Sequence, residues 1–320
     1  MAFRNIMLYG GGGSNIGHHI LQALAADSTF CTTVLARESS KTVFPALIRV
    51  VKVPDNFPRA ELVGAMAGQD VVICAPQENQ EKMLEAALEA MVPRFYPSEW
   101  GMDNADPKNQ EMSPVFKSKA KMAYYLQSKE SATFSWTAIA TSIWLDWALD
   151  NIFIGIDPFA HKVEYWQNGT HTAQAVIASL KHPEATRNQR IFVSPFEVSQ
   201  RKIVEVLEEL QGVKYDVTHI PGDIMERTNA RIVGGDTNAV AVTIAAGVLL
   251  SEYRADFVSS GKTPLIESVD SCLCLRGKWM PKAANLSQQY LELTAARFRS
   301  YEHQFNHHLN QQVMSPACAH

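Results

Sequence analysis

Three groups of residues have the types and spacing to do chemistry. The first lies in "LYGGGGSNIGHH" (Leu8–His19), where four consecutive glycines precede Gly17. Glycine runs weaken regular structure, so their place between an apolar run and a helix-like one implies a tight turn or a close approach to a ligand. Backbone N–H groups at a helix start bind anions, and a pyrophosphate meets that demand. Gly11, Gly13 and Gly17 are the expected backbone contacts, with Ser14, Asn15 and Ile16 opening the helix. The second group is Arg37 and Lys41 in "VLARESSK", two cations that can each make a charge-assisted bond to a phosphate. The third is Lys119 in "VFKSKAKMAYYLQSK", a stretch that also holds Tyr125-x-x-x-Lys129, the spacing of a tyrosine acid beside a lysine.

The surrounding elements decide which of these can act. Short apolar runs read as strands at 4–9, 32–37, 48–53, 70–75, 93–97 and 134–140. Helical periodicity fills the intervals at 15–27, 59–68, 79–91 and 113–128, with Gly68 closing the second helix. Strict alternation with near-continuous apolar strands predicts a parallel sheet covered on both faces, a doubly wound α/β (Rossmann) fold. The glycines then occupy the first β-to-α turn, where such sheets hold a dinucleotide. The end of the second strand reads its ribose: an acid bonds a 2′-hydroxyl, whereas Arg or Lys receives a 2′-phosphate. Arg37 with Lys41 therefore favours NADP(H) over NAD(H). Ligands in an open parallel sheet bind outside the carboxyl ends of the strands. Ala75 and Pro76 after the fourth strand, and Pro97 and Ser98 after the fifth, join the expected cofactor contacts.

The same rule separates the two lysines. A helix linking parallel strands starts at the cofactor edge and runs away from it. Lys129 is five residues before Phe134, where the next strand begins, so it lies at the far end and its spacing from Tyr125 reads as coincidence. Lys119 is near the start. It shares the inward stripe Phe116, Lys119, Ala120, Ala123, Leu126, while Lys117 and Lys121 point elsewhere. A lysine on an apolar stripe at that edge is suited to a depressed pKa and proton transfer; a lysine snorkelling at the sheet margin would carry the same pattern.

Residues 1–150 form the expected nucleotide-binding domain, and 151–320 a smaller substrate lobe, with helices at 172–184 and 199–212 and a strand at 190–194 ("RIFVS"), that returns some elements to the sheet. The aromatic-rich "IWLDWALDNIFIG" and "FAHKVEYW" follow the sixth strand and supply Trp144, Trp147, Phe153 and Tyr165 as pocket-wall candidates. Glu99 reads either as a second acid in the site or as a buried loop-organising carboxylate. His303, His307 and His308 on a polar terminal helix, and Cys272-x-Cys274, lack the partners of a metal site, and none is expected. His18 and His19 read as surface residues.

Whole-chain properties narrow the classes further. The 320 residues are 46% hydrophobic with a formal charge of −4, enough for a large core and no argument for nucleic acid or an anionic membrane as partner. No apolar run reaches the ~20 residues of a membrane span, and the N-terminal one is too short for a signal peptide. Five cysteines, an odd number, point to reduced thiols and a cytoplasmic location. A homodimer stays open.

The chain resembles the isoflavone-reductase-like, NmrA-like branch of atypical short-chain dehydrogenases over most of its length. The likeness rests on "YGGGGSNIGHHIL", "VLARESS", "RFYPSEWGMD" (Arg94–Asp103), "KAKMAYYL" (Lys119–Leu126) and "FSWTAIATSIWLDW". It implies NADPH as cofactor, catalysis by the lysine at Lys119, and substrate contacts from Glu99 and Trp100. It also implies reduction of a double bond or benzylic ether in a bulky aromatic or polycyclic metabolite. A cyclase or isomerase using the same pocket, and a regulator that senses the dinucleotide without turnover, are the alternatives within the branch. Two departures stand out. The family spacing Gly-x-x-Gly-x-x-Gly has Ser14 at its middle place here, and the usual "AGVKRF" becomes "AMVPRF" (Ala90–Phe95).

Overall fold

A computed structural model describes residues 2–13, 16–112, 114–141, 170–193 and 200–216, together with Thr228 and Arg231. Seven parallel strands form one sheet: β1 (Asn5–Tyr9), β2 (Cys31–Arg37), β3 (Arg49–Val53), β4 (Val71–Cys74), β5 (Arg94–Tyr96), β6 (Ser135–Ala140) and β7 (Gln189–Phe192). Their order is β3-β2-β1-β4-β5-β6-β7, which reverses direction at β1. Tyr9, the last residue of β1, pairs with Leu35 of β2 on one side and Cys74 of β4 on the other. The crevice of the switch point therefore opens directly after Tyr9, at the glycines.

Helices α1 (Ile16–Ala26), α2 (Arg59–Met66), α3 (Gln80–Glu89), α4 (Pro107–Met112), α5 (Pro114–Ser128), α6 (Thr170–Lys181) and α7 (Gln200–Gln211) complete the described elements. Strand alternation divides the core into two layers. Ile6, Leu8, Val34, Ile73 and Ile139 face α1 and α6, whereas Met7, Leu35, Val72, Phe95 and Trp136 face α2, α3 and α5. Ile6, Met7 and Leu8 of β1 are fully buried. At about 1.5–3 kcal/mol for each such side chain, the central strand binds both layers.

Arg94 braces the opposite end of the sheet. It is buried, and its guanidinium donates to Ser135 Oγ (2.8 Å), Thr137 Oγ1 (2.9 Å), Thr186 Oγ1 (3.3 Å) and the Pro183 carbonyl (2.6 Å), while lying over the Phe3 ring. Burial holds its pKa below the usual arginine value. Pro93, which brings no N–H to the start of β5, contributes its carbonyl instead: Ser135 donates to it from both N (2.9 Å) and Oγ (3.0 Å).

The expected strands and the helices up to β6 are present, with ends shifted by a residue or a few, and Gly68 follows α2 with φ +75°. Helix α4 is an addition to the sequence reading. Asp106 immediately before Pro107 is its start signal, because proline at the first helical position loses no helical hydrogen bond. The terminal polar helix, the three histidines on it, Cys272 and Cys274 lie outside the described residues, as do Ser14, Asn15, Trp144, Trp147, Phe153 and Tyr165.

Candidate active site at the carboxyl edge of the sheet

The turn after β1 is shaped by two glycines. Gly10 has φ +90°, and a Cβ built there would lie 2.3 Å from Pro76 Cδ. A Cβ on Gly17 would lie 2.1 Å from the Gly10 carbonyl oxygen. Gly17 thus lets the first turn of α1 sit against the loop, and Gly10 lets the loop reverse beneath Pro76. The sequence reading missed Gly10, although it opens the glycine run; it began the spacing at Gly11, which is buried at an ordinary φ against Leu8. The first turn of α1 carries no acidic residue, so its N–H groups are free of a competing carboxylate charge. Ile16 is buried, His18 is exposed, and Gly13 is exposed at the mouth of the turn.

The turn after β2 is held from β3. Lys52 Nζ donates to the carbonyls of Ser40 (3.0 Å) and Glu38 (3.4 Å). Asp55 accepts from Ser39 through both N (3.1 Å) and Oγ, and the Ser39 hydroxyl holds its carboxyl below the usual range. Thr42 then reaches the glycine turn, where a Cβ on Gly12 would come within 2.8 Å of Thr42 Oγ1. Arg37 and Lys41 stand exposed on this braced turn. A close backbone approach at Gly10–Gly17 and two cations one strand away fit a dinucleotide carrying a 2′-phosphate.

The loop after β5 closes the other side. Ser98 N donates to Gln80 Oε1 (3.1 Å) and Ser98 Oγ to the Ala75 carbonyl (2.9 Å); Trp100 Nε1 donates to the Cys74 carbonyl (2.9 Å). Ala75, Pro97, Ser98, Glu99 and Trp100 are buried, and Pro76 is half-buried over Gly10. Glu99 is 1% exposed and accepts from Asn104 Nδ2 (2.8 Å) and from Arg190 Nη1 of β7. Arg190 Nε also lies 3.5 Å from Asp103 Oδ1. Glu99 is thus a loop-organising carboxylate with a partner that the sequence did not suggest, because Arg190 is remote in the chain.

Lys119 comes to this cluster from α5. Phe116, Ala120, Ala123 and Leu126 of its stripe are buried, Lys119 is half-buried, and Lys117 and Lys121 are exposed. Burial is the main influence that holds its amine below the ordinary lysine range; the Glu99 carboxylate pulls it up and the Arg190 guanidinium pushes it down. Tyr125 and Lys129 serve a different contact. Tyr125 donates its hydroxyl to Glu85 of α3, and Lys129 Nζ lies 4.7 Å from the centroid of the Tyr125 ring. The bond to Glu85 is the main cause that raises the Tyr125 pKa. An open cleft of about 730 Å³ runs between the start of α3 and α5; Tyr125, Met122 and Lys121 line it, and Lys119 does not.

The NmrA-like family model matches residues 4–234, which span this whole edge. The chain belongs to the NmrA-like family. Oxidoreductase aprR of Aspergillus flavus is 34% identical over 231 residues, 68% of this chain and 77% of that protein. The crystal structure of isoflavone reductase superposes with a TM-score of 0.59 at 20% identity, covering 82% of this chain and 92% of that one. The structure of AtPrR2 with NADP+ and (+)pinoresinol gives 0.61 at 20% identity, covering 92% and 99%. At such identities the two structures speak for a shared fold, the Rossmann type. This NmrA-like chain has that fold with a seventh strand that delivers Arg190 to Glu99.

Proposed function

We propose that this NmrA-like protein is an oxidoreductase of the atypical short-chain dehydrogenase type, which uses NADPH to reduce a C=C, C=N or benzylic centre in a bulky aromatic or polycyclic metabolite. The observation that carries the reading is Lys119: a half-buried amine at the cofactor edge, with its proton loosened by burial and flanked by Glu99 and Arg190. The aprR relative, named an oxidoreductase, supports the reaction class. The glycine turn and the first turn of α1 would hold the pyrophosphate, Arg37 and Lys41 the 2′-phosphate, and Pro76, Pro97 and Ser98 the inner end of the crevice. Bound there, the cofactor supplies a hydride.

The chain's own contribution is the proton. The Lys119 ammonium donates to the substrate atom that gains negative charge, and its exposed side recovers a proton from solvent. Loosened by burial, the proton leaves more readily than from an ordinary lysine. The donor is the protonated form, so turnover falls as pH rises through the lowered Lys119 pKa.

The test compares NADPH consumed with product mass over a panel of aromatic enones, imines and benzylic ethers. A reductase gives one NADPH oxidised per product and a mass gain of two hydrogens. A product of unchanged mass with no net NADPH consumption would overturn this reading in favour of a cyclase or isomerase, and binding without turnover across the panel would favour a dinucleotide sensor.

A further inference from the structure

The strand order brings three charged side chains together beside the site: Glu99 and Asp103 in the loop after β5, and Arg190 on the edge strand β7. The Arg190 side chain is only 11% exposed and its two carboxylate partners are 1% and 4% exposed. An exposed ion pair would mean little, but a buried one fixes geometry, because breaking it strands a charge. Arg190 uses Nη1 on Glu99 Oε2 and turns Nε toward Asp103 Oδ1, and Asn104 Nδ2 adds a second hold on the same Glu99 oxygen at 2.8 Å. The Glu99 carboxylate is therefore committed to β7 and to its own loop, although Lys119 of α5 lies within its electrostatic reach.

We propose that Arg190 is a positioning residue that keeps the Glu99 carboxylate in an ion pair of its own and so prevents it from pairing with Lys119. This rests on the reading of Lys119 as the proton donor. A lysine bonded directly to a buried carboxylate would keep its proton and be a poor acid. A lysine beside a carboxylate already neutralised by arginine is not held in this way. Among the described residues, the charged groups that act on Lys119 are Glu99 from the loop after β5 and Arg190 from β7, and Arg190 in turn has Asp103 Oδ1 at 3.5 Å from its Nε.

The readout is the reactivity of Lys119 itself. The full-length protein, Arg190→Met, Arg190→Lys and Glu99→Gln are acetylated with trace acetic anhydride between pH 6 and 11, and labelling at Lys119 is quantified by peptide mass spectrometry. Calorimetric NADPH binding serves as the check of fold. Arg190→Met should lower Lys119 labelling at pH 8 by about tenfold, the size of effect a neighbouring charge exerts. Arg190→Lys should restore it, and Glu99→Gln should raise it. Unchanged Lys119 labelling in an Arg190→Met protein that still binds NADPH would overturn the proposal. Should Arg190→Met not fold, Arg190→Gln, which keeps hydrogen-bond donors but not the charge, decides: lowered Lys119 labelling supports the proposal and unchanged labelling overturns it. Labelling reports on Lys119 without turnover, so an active Lys119→Ala enzyme would overturn the reading of Lys119 as the proton donor while leaving this result to be judged separately.

Discussion

Arg37 closes the second strand, with Glu38 next to it and Lys41 further along the same turn, and Lys52 and Asp55 hold that turn in shape. Arg37→Ala should weaken NADPH binding by about tenfold or more, the loss of one charged hydrogen bond, and leave NADH binding within about twofold. Isothermal calorimetry with both cofactors measures this, and equal losses for the two would remove Arg37 from the 2′-phosphate site. At this scale the sequence was informative wherever the signal was local. The inward phase of Lys119 followed from the spacing Phe116, Lys119, Ala120, Ala123, and the wrong-end position of Lys129 from its distance to Phe134. Arg190 could not be read. Its partner Glu99 lies 91 residues away, and nothing in "QRIFVS" distinguishes an arginine facing the site from one facing solvent.

Helix α3 shows what a departure from the family spacing does to an element. Ala90 is its C-cap, and Met91 follows in the left-handed region at φ +57°, 86% exposed. Glycine is favoured at the residue after a C-cap because only it adopts that conformation without a Cβ penalty. The family's usual "AGVKRF" has glycine at this place. Met91→Gly should therefore stabilise the fold by about 1 kcal/mol, since the exposed side chain gives up little packing and the left-handed strain is relieved. Urea denaturation followed by circular dichroism checks it; a destabilised variant would mean that the methionine makes a contact which outweighs the strain. Strands and long helices were legible because apolar runs and helical stripes are strong local patterns. Helix α4 was not, because six residues, "PKNQEM", hold too few apolar positions to show a period, and only Asp106–Pro107 marks its start.

The whole molecule sets these parts at one edge. The order β3-β2-β1-β4-β5-β6-β7 brings the glycine turn, the Arg37 turn and the loop after β5 around the same crevice, and α5 starts beside it. Strict alternation of strand and helix made that sheet legible as far as β6. Strand β7 and helix α6 were legible as well, as the run "RIFVS" and the helical period over 172–184; what local pattern does not reveal is that α6 packs on α1 through Ala175, Val176 and Leu180 and that β7 lies beside β6. The central claim, that Lys119 and not Tyr125 with Lys129 serves the reaction, is tested most directly by one comparison. Steady-state NADPH oxidation is measured on the best substrate from the panel for the unmodified protein, Lys119→Ala, Tyr125→Phe and Lys129→Ala, with NADPH affinity measured alongside. Lys119→Ala should lose about 10²–10⁴ in rate while binding NADPH within a few-fold, and the other two variants should lose little. Loss of activity in Tyr125→Phe and Lys129→Ala with Lys119→Ala still active would contradict the account.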